Sequence, residues 1–147
     1  MLVVLLVTIC LVALTTLIHY HVLSMLNLRL PQLKVRSRTK VLAVLFATFL
    51  AHCVEIVIYG LAMYVLLAHM GIGGLSSTLE LSVANSIYLS AEAYTSIGFG
   101  PAIPVGEIRL LIAAEALNGL LLIGWSASYA FIAMERYWEP KVARREP

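Results

Sequence analysis

The chain has 147 residues and is 61% hydrophobic but only 12% charged, with a formal net charge of +2 at pH 7 and a mean hydropathy of +0.94. Soluble domains are close to half apolar and a quarter charged, so this chain has too few polar side chains to cover a surface that faces water. The composition therefore excludes an ordinary soluble domain and indicates an integral membrane protein. The length fits one domain and leaves no room for a separate soluble ligand-binding or voltage-sensing module.

The first predicted element is a membrane-spanning helix over residues 2–26, an apolar run long enough to cross a bilayer. A signal peptide would begin with basic residues and end at a cleavage site of small residues, whereas here the basic residues follow the apolar run. We therefore expect a retained helix whose N-terminus lies outside. His19, Tyr20 and His21 come near its inner end, where such side chains anchor helices at the interface. This interpretation is favoured over a metal site.

A basic connector over residues 29–40 separates the first span from a second one, predicted over residues 41–69. The connector contains Pro31 and five of the ten basic residues of the chain, with no acidic residue. Basic connectors stay on the cytoplasmic side of a membrane, so residues 1–40 are predicted to form an extra N-terminal helix with a cytoplasmic connector. A glycine-rich break at residues 71–74 ends the second span on the outer side.

A short helix of mixed polarity is predicted next, from a capping box at Ser77 and Glu80 to about Thr95. It is too polar for a lipid-facing span and too apolar for a solvated loop, and such a helix sits at membrane depth when protein surrounds it. A last span is predicted over residues 107–134, and a basic cytoplasmic tail over residues 139–147. This topology places nine of the ten basic residues on the cytoplasmic side.

Two glycines at alternate positions, Gly98 and Gly100, follow the short helix. Backbone carbonyls replace the water around a cation when consecutive residues aim their oxygens at one axis, and positions with positive φ in such a segment favour glycine. Ser96 is placed to add a lower ring of oxygens, while Ile97 and Phe99 are expected to point away from the axis and wedge against the short helix. The C-terminal end of that helix carries partial negative charge, which favours a cation in the cavity below.

The segment Tyr94-Thr95-Ser96-Ile97-Gly98-Phe99-Gly100 resembles the signature of the pore-loop potassium channels, a hydroxyl residue followed by (Val/Ile)-Gly-(Tyr/Phe)-Gly. The resemblance covers residues 82–131 and is closest to bacterial ion-channel pore domains and two-pore-domain channels. It implies that the ion-binding residues of a selectivity filter are Ser96, Ile97, Gly98, Phe99 and Gly100. Glu92 and Thr95 are implied to support the filter. Gly119 is implied to form a gating hinge. The residues implied to line the cavity below the filter are Leu120, Ile123, Ala127 and Phe131.

The resemblance also implies an assembly and a function. One filter segment per chain cannot encircle an ion, so four chains are expected to form a homotetramer. The implied fold is an all-α membrane protein with three transmembrane helices per chain, and with a re-entrant pore helix and filter between the second and third; the pore domain is residues 41–138. The implied function is passive conduction of potassium across the cell membrane, with lipid and permeant cations as partners. No cofactor, catalytic constellation or nucleic-acid partner is expected.

Two positions depart from this signature. The Asp that usually follows the last filter glycine is Pro101 here, which leaves Glu92 without the partner expected of a pore-helix glutamate. Ser96 stands where the signature has Thr and lacks its methyl group. The sequence therefore leaves two alternatives to a potassium-selective channel. One is a weakly selective monovalent cation channel that also passes sodium, and the other is a non-conducting membrane scaffold or accessory subunit.

Ionisable side chains inside the spans indicate polar contacts, because burying them without a partner is costly. Glu115 is expected either to brace the filter from behind or to join an acidic ring on the pore axis, and bracing is favoured because a buried acid needs donors. His52 and Glu55 share one helix face, which predicts a hydrogen bond between them or to another helix. The alternative is a proton sensor that changes gating. A metal site with Cys53 is disfavoured because neighbouring helix positions diverge.

Overall fold

The computed structural model describes residues 1–76, 80–98, 100 and 102–138. In this part of the chain, three long helices and one short helix form a bundle, and two short strands pair with each other. The elements are α1 (Leu2–Arg29), α2 (Ser37–Ala68), β1 (Gly74–Ser76), α3 (Val83–Tyr94), β2 (Ile103–Val105) and α4 (Ile108–Trp138). The all-α membrane architecture expected from the sequence is confirmed.

The three long helices α1, α2 and α4 are each long and apolar enough to cross a membrane. Each has well over the roughly 20 residues that a hydrocarbon core of about 30 Å requires. The short helix α3 has 12 residues and covers only about 18 Å at the usual rise per residue. It therefore cannot span the same layer by itself.

The connection between α1 and α2 is shorter than the sequence predicts. A turn of 3₁₀ helix, Leu30–Gln32, follows α1 directly, with Pro31 at its start. α2 then begins at Ser37 rather than at residue 41, so part of the basic connector is helical. The Lys40 ammonium group donates a hydrogen bond to the carbonyl oxygen of Pro31 at 3.2 Å, which ties the first turns of α2 back to the connection.

The opposite end of the bundle carries a small antiparallel ladder that the sequence did not predict. Gly71 and Gly73 have φ values of 61° and 79°, and this turn leads the chain from α2 into β1. β1 pairs with β2, and Leu75 lies opposite Pro104. The ladder thus joins the chain before α3 to the chain just before α4. The pairing of β1 with β2 closes the segment that contains α3, Gly98 and Gly100 into a loop.

The start of α3 differs from the predicted capping box. The helix begins at Val83, and its N-cap is Ser82, whose hydroxyl oxygen accepts a hydrogen bond from the Asn85 amide at 3.1 Å. A serine at this position satisfies one of the free amides of the first turn. Residues 77–79, which include the predicted cap, lie outside the described residues.

The core lies where the four helices meet. α3 packs against both α2 and α4, and α1 packs against the same two helices. The apolar side chains that lose all or nearly all contact with solvent include Val4, Tyr59, Met63, Leu89, Tyr94 and Leu111. Gly60 allows α3 to approach α2 closely, because a Cβ atom there would lie 2.6 Å from the Cα atom of Ile87.

Polar contacts also fix the position of α1. The Asn118 side-chain amide on α4 donates to the Thr15 hydroxyl on α1 at 2.8 Å and to the Tyr59 hydroxyl on α2 at 3.2 Å. The Thr16 hydroxyl donates to the side-chain oxygen Oδ1 of Asn118 at 3.4 Å. α1 is therefore a hydrogen-bonded member of the bundle, whereas the sequence explained this helix least.

Candidate functional site

The short helix α3 ends in a left-handed turn at the first residue of the predicted filter core. The Ser96 amide donates to the Ala93 carbonyl at 2.9 Å, and the Ile97 amide donates to the Glu92 carbonyl at 3.0 Å. Ser96 itself has a φ of 57°. These two bonds around a left-handed residue form a Schellman motif, which usually has glycine at this position. The helix therefore stops at Tyr94, and the chain turns into the glycine-containing segment.

Positive φ occurs at alternate residues of this segment, Ser96 and Gly98, with φ values of 57° and 63°. The sequence predicted alternation at Gly98 and Gly100, so the structure moves the first left-handed position to a serine. A Cβ atom at Gly98 would meet nothing within 4 Å. The backbone conformation, and not a lack of space, thus requires glycine at position 98, because left-handed φ is unstrained only in glycine.

Gly100 is constrained by space instead. A Cβ atom built there would lie 1.8 Å from Oε2 of Glu92, which is itself buried on α3. The Glu92 carboxylate therefore packs directly against the backbone of the segment. Two residues of interest lie outside the described residues. They are Phe99, a predicted filter residue, and Pro101, which stands where the family signature has Asp.

The side chains of Thr95, Ser96 and Ile97 are exposed in the single chain. The Thr95 hydroxyl donates back to the Ala91 carbonyl at 2.7 Å. Ile97 leaves 56% of its surface open in the single chain, so the expectation that it wedges against the short helix stays a prediction for the assembled protein. The Schellman turn explains this orientation, because it carries the chain away from α3 after Ser96.

Glu115 on α4 turns toward α3 and is fully buried. Its Oε1 atom lies 2.5 Å from the Ser90 hydroxyl, and that hydroxyl also lies 2.8 Å from the Ile56 carbonyl oxygen on α2. The Oε2 atom of Glu115 has no hydrogen-bond partner among the described residues. Ser90 and Glu115 thus link α2, α3 and α4. Bracing of the filter from behind stays a prediction, and these contacts favour it over an acidic ring.

Replacing Ser90 with alanine tests this link. The change removes the hydroxyl that reaches Glu115 and leaves a buried carboxyl group without its partner, so we expect a loss of about 1–2 kcal/mol of stability. Thermal unfolding of the purified protein in detergent measures the effect. Ser128→Ala is the matched control, because the Ser128 hydroxyl is exposed and bonds only within α4; its effect should stay within about 0.5 kcal/mol. Equal effects of the two variants would contradict the bracing role.

Gly119, implied as a gating hinge, lies inside the unbroken helix α4. A Cβ atom there would come within 2.2 Å of the Tyr94 carbonyl oxygen. The glycine therefore lets the C-terminal end of α3 rest on the backbone of α4. The hinge role stays a prediction, whereas close packing is a role that the structure shows.

The four residues implied to line the cavity share one face of α4 that is exposed in the single chain. They are Leu120, Ile123, Ala127 and Phe131. Trp125 is also partly exposed, but its ring packs beside those of His19 and Tyr20 on α1. The exposed face is available for a pore, for a neighbouring chain or for lipid.

A second polar site lies where α1, α2, α3 and α4 meet. The predicted hydrogen bond between His52 and Glu55 is confirmed, with 3.3 Å between His52 Nδ1 and Glu55 Oε2. Tyr94, the last residue of α3, donates its hydroxyl proton to Glu55. His19 was predicted to be an interfacial anchor, and this is wrong: its side chain is fully buried and its Nδ1 atom lies 3.0 Å from Glu55 Oε1.

Three membrane-spanning helices, with a short helix and a left-handed, glycine-containing segment between the second and third, define a multi-pass helical membrane protein. Residues 51–136 match the family described as ion channel. The match covers more than half of the chain, and the chain belongs to this family. No curated protein and no solved structure matches it. The matched residues start inside α2, so α1 precedes them.

Proposed function

We propose that the chain is one subunit of a homotetrameric, potassium-selective channel, in which α3 is a re-entrant pore helix and residues 96–100 form the selectivity filter. Four copies of the segment would surround one axis, and their backbone carbonyls would replace the water around a dehydrated ion. Conduction would be passive. The channel would lie in the cell membrane, with the N-terminus outside and the basic connector in the cytoplasm.

The alternation of left-handed backbone at Ser96 and Gly98 carries this proposal. In an ordinary extended strand, successive carbonyls point to opposite sides, so they cannot all face one ion. Left-handed residues at alternate positions reverse this relation and bring successive carbonyls toward one side. The segment also follows the C-terminal end of α3 directly, where the helix dipole favours a cation.

The surfaces that remain open in the single chain support a tetramer. Thr95, Ser96 and Ile97 are exposed, as are the four residues of the α4 face defined above. A filter segment needs neighbours to close the ring around the ion, and exposed apolar side chains such as Ile97 mark where those neighbours would pack. The supports behind the segment, Glu92 and Glu115, lie within the same chain and are buried.

A weakly selective monovalent cation channel is the second candidate. Ser96 stands where the signature has Thr, and Pro101 replaces the acidic residue that usually follows the filter. A smaller hydroxyl residue and a missing acidic partner would leave the carbonyl ring less tightly braced. The distinction matters because selectivity depends on the size of the cavity that the carbonyl oxygens form and on the field strength of their dipoles.

Ion flux in proteoliposomes tests both candidates. Purified protein in liposomes loaded with potassium should produce a potassium current or a flux of a potassium analogue, and liposomes without protein should produce none. Reversal potentials in mixed potassium and sodium solutions then rank the two ions. A strong preference for potassium supports the first candidate, whereas equal permeability would establish the second.

The assembly requires its own measurement. Cross-linking or native mass measurement of the detergent-solubilised protein should give four chains per particle. Intact tetramers without any flux would favour the non-conducting scaffold. A monomer or dimer that still conducts would exclude a filter built from four segments.

A further inference from the structure

A closed cluster of polar side chains fills the centre of the bundle next to the filter. His19 comes from α1, His52 and Glu55 come from α2, Tyr94 from α3 and Ser126 from α4. His19 and Glu55 are fully buried, and only 17% of the His52 side chain is exposed. Polar groups at this depth are retained only where each has a partner.

The two imidazole rings have the same orientation relative to their neighbours. Both Nδ1 atoms face the Glu55 carboxylate, at 3.0 Å for His19 and 3.3 Å for His52. Both Nε2 atoms face the Ser126 hydroxyl oxygen, each at 3.0 Å. The side-chain oxygen of Ser126 therefore lies between the Nε2 atoms of two rings from different helices.

Proton counting shows what this arrangement lacks. Two neutral histidines, Tyr94 and Ser126 bring four protons, but the side chains make six close contacts. Without a metal ion, one tautomer lets both Nδ1–H groups donate to the Glu55 carboxylate, while the Ser126 hydroxyl donates to one Nε2 atom and faces the lone pair of the other. A divalent cation that replaced both Nδ1 protons would leave each Nε2–H group free to donate to the Ser126 oxygen. The cluster thus has the donor set of a cation site.

The ligand types and spacings fit zinc. Two neutral imidazole nitrogens and a carboxylate oxygen are ordinary zinc ligands, with bonds of about 2.0–2.2 Å. Ligand pairs around such an ion lie about 3.3 Å apart in tetrahedral geometry, close to the 3.0 and 3.3 Å measured from Glu55 to the two rings. One ligand atom can be taken from each of the three residues so that all lie within 4.8 Å of one another. The two rings would need to approach each other to share one ion.

We propose that His19, His52 and Glu55 bind one divalent transition-metal ion of the zinc type per chain. Ser126 would hold the second nitrogen of each ring, as outer partners of metal-bound histidines do. The Tyr94 hydroxyl, 2.8 Å from His52 Nδ1, is in reach of a fourth position. The ion would enter past His52, the one ligand with an exposed edge.

Such a site would join α1 to the filter. His19 lies on the helix that precedes the family match, and Tyr94 lies two residues before Ser96, where the proposed filter begins. An ion bound between them would hold α1, α2 and the end of α3 in one register. The site goes beyond ion conduction, because it gives the extra helix a chemical role of its own.

Metal binding to the full-length protein, purified in detergent and stripped of metal, tests the proposal. Calorimetry with Zn²⁺ should give one ion per chain, and Co²⁺ should give the visible absorption of a four-coordinate complex. His19→Gln and Glu55→Gln should each weaken Zn²⁺ binding by at least about tenfold. His21→Gln is the matched control, since His21 is exposed on the same helix, and it should bind Zn²⁺ like the unchanged protein.

A variant outside the ligand set keeps the test valid if the ligand variants fail to fold. Ser126→Ala retains all three ligands and should weaken Zn²⁺ binding about 10- to 100-fold by freeing both rings. Zn²⁺ binding should also weaken as the pH falls, because protons compete for His19 and His52. The titratable groups that face the site are these two histidines, Glu55 and Tyr94, while α4 contributes the Ser126 hydroxyl and the Trp125 ring.

Three outcomes would overturn the proposal. They are a six-coordinate Co²⁺ spectrum, unchanged Zn²⁺ affinity in His19→Gln, and thermal unfolding that responds to pH but not to Zn²⁺. The last result would mean that the cluster binds protons only. Each readout is independent of ion flux, so failure of the metal site and failure of the channel function are distinguishable.

Discussion

Replacing Gly98 with alanine is expected to abolish ion flux while leaving membrane insertion and tetramer assembly intact. Gly98 has a φ of 63°, and a Cβ atom there would contact nothing within 4 Å. The cost of the change therefore comes from the backbone alone, at about 1–2 kcal/mol for each left-handed residue that gains a Cβ. In a tetramer, four such costs fall on one ring of carbonyls, roughly 4–8 kcal/mol per pore. The ring would relax into a conformation that no longer binds a bare cation.

Gly124→Ala provides the comparison for Gly98→Ala. Gly124 also has open space around the position of a Cβ atom, but it lies inside α4 with ordinary helical φ. Alanine there adds the same methyl group without backbone strain and should conduct like the unchanged protein. Proteoliposome flux and particle mass should be measured for both variants. Flux that survives Gly98→Ala would show that this segment is not the filter.

The second large effect is expected at Gly119. Alanine at this position would place a methyl group 2.2 Å from the Tyr94 carbonyl oxygen, which is backbone and cannot turn aside. The end of α3 would have to move away from α4, at a cost of about 1–3 kcal/mol for overpacking. Because Tyr94 lies two residues before Ser96, the first residue of the proposed filter, we expect both thermal stability and ion flux to fall.

The same variant separates close packing from a hinge. A glycine that serves only as a hinge would gain stability on replacement, because alanine favours the interior of a helix over glycine by about 0.8–1.0 kcal/mol. Close packing predicts the opposite sign. The unfolding temperature of Gly119→Ala in detergent, compared with that of Gly124→Ala, decides between them. A rise in both variants would leave no packing role for Gly119.

The sequence predicted the elements whose signals are local. The three apolar runs are long enough to stand out in any window, and the helical spans follow them closely. Gly71 and Gly73 predicted the end of α2. Both have positive φ in the structure, as the turn that follows the helix requires. The hydrogen bond between His52 and Glu55 was predictable for the same reason, because residues three apart on a helix lie on one face.

Contacts between distant helices could not be predicted in the same way. Most of the circumference of α1 is apolar, and the one signal of its packing face is the row of Thr8, Thr15 and His19, all of which are buried. His19 lies near the end of the apolar run and resembled an interfacial residue, although it reaches Glu55 and Ser126 across the bundle. A buried histidine requires a partner, but the sequence does not tell which of several polar residues will supply it.

The turn after α3 shows another limit of the sequence. Left-handed residues at helix ends are usually glycine. Positive φ was therefore predicted at Gly98 and Gly100 and not at Ser96. The backbone bonds to Ala93 and Glu92 hold Ser96 in that conformation in spite of its side chain. The β1–β2 ladder was missed because three-residue strands carry no periodic signal of their own.

The contacts of α1 constrain the order in which the protein can be completed during synthesis. Thr15 bonds to Asn118, and His19 bonds to Ser126, partners that lie 103 and 107 residues further along the chain. At translation rates of about 5–20 residues per second, α1 waits roughly 5–20 seconds before these partners leave the ribosome. The Thr15 hydroxyl donates to the Leu11 carbonyl within α1 and does not need these partners, whereas His19 depends during that time on the insertion machinery or on water. A nascent chain that lacks α4 would thus leave Nε2 of His19 without its Ser126 partner, a mark by which membrane quality control could recognise an unfinished chain.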